Sequence, residues 1–213
     1  MMRTILVLNA KGGCGKTTIA TNLAGYYASQ NEKVFLADLD PQSSSMDWLA
    51  ARPPKLPAIK GVNAANRRFR IPADTDVLIL DSPASTHDHS LRGVVRRADY
   101  IVLPVLPSPL DMRAAERFLA ELLRVKRVLN AEVKITVVAN RVREKTKAAT
   151  ALEDYLGDLK LPSGRKFPFV TMLRASQNYL RAAEQGMSVF EFAPFATLQD
   201  REEFLPLIRW LNR

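Results

Sequence analysis

One glycine-rich stretch near the start of the chain, KGGCGKTT at residues 11–18, constrains the fold more than any other feature. It follows a short apolar run at residues 4–8 and precedes an apolar pattern of helical spacing at residues 19–28. A strand, a glycine loop and a helix in this order form a phosphate cradle, because the loop N–H groups and the positive end of the helix converge on one anion. The stretch therefore predicts a phosphate-binding loop at the end of a strand.

Two lysines in this loop have different predicted roles. Lys16 is expected to reach the β- and γ-phosphates of a nucleotide, and the Thr17 hydroxyl is expected to bind Mg²⁺. The usual Walker A pattern starts with a glycine at the position of Ala10, so the strict pattern fails. Lys11 is the additional lysine, and two interpretations are about equally open. It meets phosphate presented by another subunit, or it is a solvated surface lysine.

The composition restricts the class of protein. The chain has 213 residues, 47% of them hydrophobic, which permits a sizeable core in one large domain or two small ones. The net charge of +9, from 31 basic and 22 acidic residues, favours a polyanionic partner, either nucleic acid or an anionic membrane surface. A single cysteine excludes an internal disulfide and a cysteine-based metal cluster within one chain.

The sequence shows no targeting or membrane-spanning pattern. Its first ten residues are strand-like, but too short and wrongly flanked for a signal peptide. No apolar run approaches the roughly 20 residues that cross a bilayer. We therefore expect the protein in a reducing cytoplasm.

Carboxylates follow two further strand patterns. The apolar run at residues 33–37 ends in Asp38 and Asp40, and the run at residues 77–80 ends in Asp81. A strand, a helix and a second strand in succession predict a right-handed parallel unit, whose ligands lie at the carboxyl ends of the strands. Asp38 is expected to hold Mg²⁺ through water, Asp40 to orient the attacking water, and Asp81 to face the metal. The alternative for Asp40 is a simple Asp-Pro turn, which the paired carboxylates disfavour.

Residues 82–86 are expected to form a loop beside the γ-phosphate that distinguishes ATP from ADP. His87 and His89 are assigned to the same loop. Two histidines without a third ligand are expected to be surface residues rather than a metal site.

The remaining apolar runs complete an α/β pattern. Residues 58–76 carry only a weak, basic pattern. The interpretation is a three-layer α/β fold in which helices flank one mostly parallel twisted sheet, with residues 1–213 as a single domain. Further strands are predicted at 100–105, 133–139 and 167–172, and helices at 43–50, 108–129, 176–185 and 198–211, with another helix ending near 159.

Polar and basic residues follow the strand predicted at 133–139. Asn140 lies at the strand end, where it either hydrogen-bonds the adenine edge or occupies a turn. The densest basic cluster of the chain comes next, and its alternatives are a polyanion contact and a solvated face. This cluster comprises Arg141, Arg143, Lys145 and Lys147.

Taken together, KGGCGKTT, ADLDPQSSS and LILDSPAS resemble the deviant Walker A ATPases of the ParA/MinD class, a P-loop NTPase family. PVLPSPLDMRAAERF, VVANR and GMSVFEF are also similar to this family, so the resemblance covers nearly the whole chain. The early first strand resembles the small ParA subgroup, often called ParF-like, whereas larger relatives place a helix-turn-helix domain first. Ala84 and the pair Met172-Leu173 depart from the family pattern and leave the shape of the base pocket open.

The resemblance implies roles for the site residues. Lys11 would be the signature lysine, which crosses to the nucleotide of the second subunit in an ATP-sandwich homodimer. Lys16 and Thr17 would bind phosphate and Mg²⁺, Asp40 would position the hydrolytic water, and Asn140 would contact adenine. Asp38 and Asp81 would support the metal. The remaining nucleotide-binding positions of the loop would be Gly12, Gly13, Cys14, Gly15 and Thr18.

The resemblance also implies a cycle. The ATP-bound dimer would bind DNA without sequence preference, and a ParB-like or other small adaptor protein would stimulate hydrolysis. The ATPase would then position a plasmid, a chromosome region or a protein organelle along the nucleoid of a bacterium. The DNA surface would come from basic residues late in the chain, for which the candidates are Arg141, Arg143, Lys145, Lys147 and Arg174.

Three other classes are weighed against this one. A MinD-like membrane regulator would need a detachable basic amphipathic helix, but residues 201–203 give the last predicted helix a mixed polar face. A relative of the nitrogenase iron protein would need more cysteines. A P-loop synthetase or small-molecule kinase would share the cradle, but Lys11 and the lack of an obvious substrate insertion disfavour it.

Overall fold

Seven strands form one parallel sheet in the computed structural model, which describes residues 2–65, 68–84, 88–161, 164 and 166–213. Neighbouring strands run parallel throughout, so each connection returns across a face of the sheet. The strands are β1 (Arg3–Val7), β2 (Val34–Asp38), β3 (Lys60–Asn63), β4 (Val77–Asp81), β5 (Tyr100–Val105), β6 (Lys134–Val142) and β7 (Phe169–Arg174). Their order across the sheet is β3-β2-β4-β1-β5-β6-β7.

Helices cover both faces of the sheet, which confirms the predicted three-layer α/β class. One buried cluster packs α3 to α6 on one face, and a second packs α1, α2, α7 and α8 on the other. The central strands are buried on both sides and are therefore mostly apolar, as is usual for parallel strands. The helices are α1 (Lys16–Ser29), α2 (Ser44–Ala50), α3 (Asp88–Val95), α4 (Pro109–Leu122), α5 (Lys126–Leu129), α6 (Lys147–Asp158), α7 (Gln177–Glu184) and α8 (Leu198–Leu211).

One predicted helix is divided in the structure, and one strand was not predicted. The helix predicted at 108–129 is two helices, because α4 ends at Leu122 and α5 begins only at Lys126. The two ends of its supposed apolar stripe, Leu110 and Leu129, are 70% and 62% exposed. The weakly patterned stretch contains the edge strand β3, whose exposed residues gave no apolar signal.

The loop predicted from residue 82 is shorter than expected. Helix α3 begins at Asp88, so His89 belongs to a helix and not to the loop. Residues 85–87, which include His87, lie outside the described part of the chain.

The register of the parallel strands brings the predicted site to one edge of the sheet. Val7 is paired with Asp81, and Asp38 is paired with the same Asp81 across the neighbouring strand. The loops that leave β1, β2 and β4 therefore begin side by side. This arrangement follows the general rule that ligands of such sheets lie at the carboxyl ends of the strands.

The segment between α7 and α8 is fixed to the end of α2 by a buried ion pair. Arg52 and Glu191 are 5% and 4% exposed, and Glu191 also accepts hydrogen bonds from the backbone and hydroxyl of Ser188. Gly186 permits this approach, since a Cβ there would lie 2.3 Å from the Arg52 nitrogen. Within the described residues, no helix combines the length and apolarity that crossing a bilayer requires.

We predict that Glu191→Ala lowers the free energy of unfolding by about 3 kcal/mol, because it leaves the Arg52 guanidinium buried without its counter-charge. Chemical denaturation measures this loss. Glu202→Ala on exposed α8 surface is the control and should change stability by less than about 0.5 kcal/mol. Equal stability of the two variants would contradict a structural role for the pair.

Candidate nucleotide and magnesium site

The glycine-rich loop leaves β1 and enters α1 through left-handed backbone. Gly13 and Gly15 have φ of +74° and +93°, values that favour glycine. Asn9 supports the loop from below, because its Nδ2 donates to Pro104 O at 2.7 Å and its Oδ1 accepts from Lys11 N at 3.0 Å. The sequence analysis missed Asn9, and its only signal is a polar residue that follows a buried strand.

Asn140 holds the same loop from β6. Its Nδ2 donates to Cys14 O at 2.8 Å, and a Cβ at Gly15 would lie 2.1 Å from that nitrogen. Only glycine therefore fits at position 15 while Asn140 occupies this position. The contact of Asn140 with adenine stays a prediction. In the structure, Asn140 supports the glycine-rich loop.

The Lys16 side chain is buried and turned toward its own loop. Its Nζ donates to Lys11 O at 3.1 Å, and the Cys14 thiol donates to the same carbonyl at 3.3 Å. Burial raises the pKa of Cys14, against the opposing effect of Lys16, so this thiol stays protonated at neutral pH. The Lys16 ammonium therefore donates to a carbonyl of its own loop.

The Lys11 side chain extends to helix α4. Its Nζ lies 2.7 Å from Asp111 Oδ1, and the two side chains are 39% and 9% exposed. Asp111 was not identified from the sequence, although it lies in the PVLPSPLDMRAAERF stretch that resembles the family. The structure therefore gives Lys11 a specific partner within its own subunit.

Asp81 is the strongest candidate for a metal ligand. Both of its carboxylate oxygens are buried without a hydrogen-bond partner. Burial raises the pKa of Asp81 to about 7, the charge of Asp38 adds to this effect, and Thr17 and Lys16 oppose it. A buried carboxylate of this kind fits a hard cation, which would satisfy its oxygens and remove the cost of its charge.

The described residues contain no cluster of three or more metal-ligating side chains. Magnesium needs no such cage, because it is commonly held by one or two carboxylates together with substrate phosphates and water. Thr17 and Asp81 therefore fit a site of this kind.

Asp38, the other predicted metal residue, is fully engaged in local structure. Its Oδ1 accepts from Asp40 N at 2.9 Å, and its Oδ2 accepts from both the backbone and the hydroxyl of Ser45. Asp38 thereby fixes the start of α2 and the turn that carries Asp40. Asp40 is half-buried and accepts from Gln42 N at 2.9 Å, so it lies in the Asp-Pro turn.

A cleft of about 320 Å³ brings residues of the glycine-rich loop together with Asp40, whereas Asp38, Asp81 and Asn140 do not line it. Asp40 lines this cleft together with the loop, and its role in positioning water stays a prediction. Arg141, which the sequence analysis assigned to DNA, lies on the wall of the same cleft, at a left-handed φ of +53°. The lining consists of Gly12, Gly13, Gly15, Lys16, Thr17, Thr18, Asp40, Gln42, Ser44, Ala84 and Arg141.

The other DNA candidates divide into two groups. Arg143 and Lys145 are exposed in the connection from β6 to α6, and Lys147 is exposed at the start of α6. Arg174 is instead paired with α8, since its Nε donates to Asp200 at 2.7 Å and its Nη1 to Gln199 at 2.6 Å. The first three residues are therefore available to a polyanion, whereas Arg174 already has a carboxylate partner.

The fold and the site define a nucleotide-binding protein, and comparison with known families agrees. Residues 5–189 match the CobQ/CobB/MinD/ParA nucleotide binding domain. The chain belongs to this family and is a nucleotide-binding ATPase domain of the ParA/MinD type.

Individual relatives cover most of the chain. It is 30% identical, over 88% of its length and 87% of the relative's, to a maintenance of carboxysome distribution protein A of Halothiobacillus neapolitanus. Its fold is similar to that of a Borrelia burgdorferi protein described as a plasmid partition protein and bound to AMPPNP, with a TM-score of 0.75, 16% identity and coverage of 98% and 99%. The Aquifex aeolicus MinD cell division protein has a TM-score of 0.73, 17% identity and coverage of 99% and 97%.

We predict that Asp81→Asn stabilises the nucleotide-free protein at pH 8. The raised pKa means that the folded state binds a proton more tightly than the unfolded state. The stability of the wild type therefore falls as the pH rises toward 7 and levels off above it. The advantage of the variant over the wild type should shrink by roughly 2–3 kcal/mol between pH 8 and pH 5.

Urea denaturation at the two pH values measures this difference. Asp76→Asn, at a more exposed carboxylate, is the control for a general effect of charge. An advantage of Asp81→Asn that does not change with pH would contradict a buried, unpartnered carboxylate at this position.

Proposed function

We propose that this chain is a dimerising ATPase that binds DNA without sequence preference when ATP is bound and positions a cargo together with a partner protein. The observation that carries the proposal is the cleft in which the glycine-rich loop faces Asp40, with the additional lysine Lys11 beside it. Hydrolysis of ATP to ADP and phosphate is the proposed reaction.

Each site residue has its own role in the proposed hydrolysis of ATP. In our proposal the loop N–H groups and Lys16 hold the phosphates, Thr17 and Asp81 hold Mg²⁺, and Asp40 orients the attacking water. Bound Mg²⁺ would neutralise charge that develops on the phosphate oxygens. Asp38 contributes by fixing the turn that carries Asp40, a role that its hydrogen bonds support.

A homodimer completes the proposed site. Lys11 is the one cradle lysine whose side chain points away from its own loop, whereas Lys16 points into it. In the proposed ATP sandwich, Lys11 of each subunit reaches the phosphates bound by the other. ATP therefore acts as the link between subunits, and hydrolysis separates them.

DNA is the proposed surface on which the dimer works. The net charge of +9 and the exposed Arg143, Lys145 and Lys147 support this proposal. Because dimerisation doubles every basic patch, the ATP-bound state would hold DNA far more tightly than a monomer. The proposed location is the nucleoid in the cytoplasm of a bacterium.

The cargo is proposed by likeness to relatives. The similarity to a carboxysome distribution protein over most of the chain supports a protein organelle, and the plasmid and the chromosome remain further candidates. A ParB-like or other small adaptor protein on the cargo would stimulate hydrolysis and release the DNA.

A MinD-like regulator at a membrane surface is the second candidate, because the Aquifex aeolicus MinD has a similar fold. Helix α8 argues against it. Four of its apolar residues, Phe204, Leu207, Ile208 and Leu211, are buried in the core and are not free to enter a bilayer, although Leu198 and Leu205 are exposed. Sedimentation with anionic liposomes in the presence of ATP would detect this alternative.

We predict that the protein binds a non-specific DNA duplex with ATP but only weakly with ADP or without nucleotide. Asp40→Ala should stay on DNA with ATP, and Lys16→Ala should fail to bind in every nucleotide state. Fluorescence anisotropy across a salt series measures both, and the logarithm of the affinity should fall steeply with the logarithm of the salt concentration. DNA binding of equal strength with ATP, with ADP and without nucleotide would contradict the proposed nucleotide-dependent switch.

Two matched triple variants test the DNA surface in the same assay. Replacing Arg143, Lys145 and Lys147 by Ala should weaken binding by at least about tenfold and flatten the salt slope. The control replaces three other exposed arginines, Arg92, Arg96 and Arg124, and removes the same charge. Equal losses for both triples would mean that general charge, rather than this surface, binds the DNA.

A further inference from the structure

The contact with Asp111 holds the Lys11 ammonium away from the position that it would occupy in the proposed dimer. The ammonium lies 2.7 Å from the carboxylate of its own subunit, although the sandwich requires it at the phosphates of the other. The Asp111 side chain is largely buried, so the pair is only partly screened by solvent. One ammonium cannot satisfy both contacts.

The backbone of Lys11 cannot move easily to resolve this conflict. Its N–H donates to the buried Asn9, and its carbonyl accepts from Lys16 and from Cys14. The peptide groups on both sides of the residue are therefore fixed by the loop. A change in the side-chain conformation is the motion that remains.

We propose that Asp111 is a positioning residue that holds Lys11 within its own subunit until ATP-driven closure of the dimer transfers the ammonium to the partner's phosphates. This inference rests on the proposed sandwich dimer. The contact between Lys11 and Asp111 opposes closure of the dimer in the absence of ATP. Subunit association then depends on the partner's phosphates, which replace the Asp111 carboxylate as the contact of Lys11.

The position of Asp111 makes the release reversible. It is the third residue of α4, in the first turn, where the positive end of the helix stabilises a carboxylate. The negative charge of Asp111 therefore keeps a favourable environment after the lysine leaves. A carboxylate buried elsewhere would make the release of its counter-ion far more costly.

Asp111→Asn tests this inference, because it removes the charge and keeps the size of the side chain. In the hydrolysis-deficient Asp40→Ala background, sedimentation equilibrium with ATP should show a dimer dissociation constant lowered by about 3- to 30-fold. In the otherwise unchanged protein, the ATPase rate should reach half of its plateau at a correspondingly lower protein concentration, with the plateau unchanged. Substitution of a residue with a merely structural role would not strengthen dimer association and leave the plateau of the ATPase rate unchanged.

Glu116→Gln on the exposed surface of the same helix is the matched control and should leave the dissociation constant unchanged. Folding is checked by thermal unfolding without nucleotide, and Asp111→Ala is the second variant if Asp111→Asn is poorly folded. In these unfolding measurements, the effects of Lys11→Met and Asp111→Asn should be non-additive in the double variant, since the two side chains contact each other.

The outcomes separate the inference from the function on which it rests. If Asp40→Ala alone stays monomeric with ATP, the proposed sandwich itself is wrong. If Asp40→Ala dimerises and Asp111→Asn leaves the dissociation constant unchanged or raises it, the positioning role is overturned. Additive unfolding effects of the two substitutions would also overturn it, because the ion pair would then have no energetic coupling.

Discussion

The parallel register of three neighbouring strands is the constraint on which the site depends. Asp81 is paired with Val7 on one side and with Asp38 on the other, so three loops start from one edge at the spacing of adjacent strands. Two carboxylates are thereby brought beside the glycine-rich loop inside an apolar core. The fold buries both carboxylate oxygens of Asp81 there without a hydrogen-bond partner, and in our proposal Mg²⁺ binds them.

The sequence predicted the structure best where a residue type is compatible with few local structures. The glycine loop, the carboxylates after buried strands and the apolar strands all predicted the observed architecture, because backbone geometry and burial leave few alternatives there. It was least informative for β3, an exposed edge strand, and for Asp111, an acidic residue on a helix with no distinguishing spacing. Such long-range partners depend on tertiary packing, which local patterns do not encode.

In the structure, the two lysines of the glycine-rich loop and the Asp38 carboxylate all have partners within the subunit. Lys16 donates to a loop carbonyl, Lys11 is paired with Asp111, and Asp38 caps the turn that carries Asp40. Phosphate and Mg²⁺ would replace the first two contacts and would satisfy Asp81. Nucleotide binding would thus exchange contacts within the subunit for contacts with the ligand and, in our proposal, with a second subunit. The proposed nucleotide-dependent switch rests on this exchange.

The most direct test of the account is to mix two inactive variants, Lys11→Ala and Asp40→Ala, and to measure the ATPase rate. If Lys11 acts across the dimer, each mixed dimer contains one intact site, and random pairing at equal amounts restores up to about a quarter of the wild-type rate. If Lys11 acts within its own subunit, each site of every dimer lacks one of the two residues. No recovery at any mixing ratio would contradict the central claim that the site is shared between two subunits.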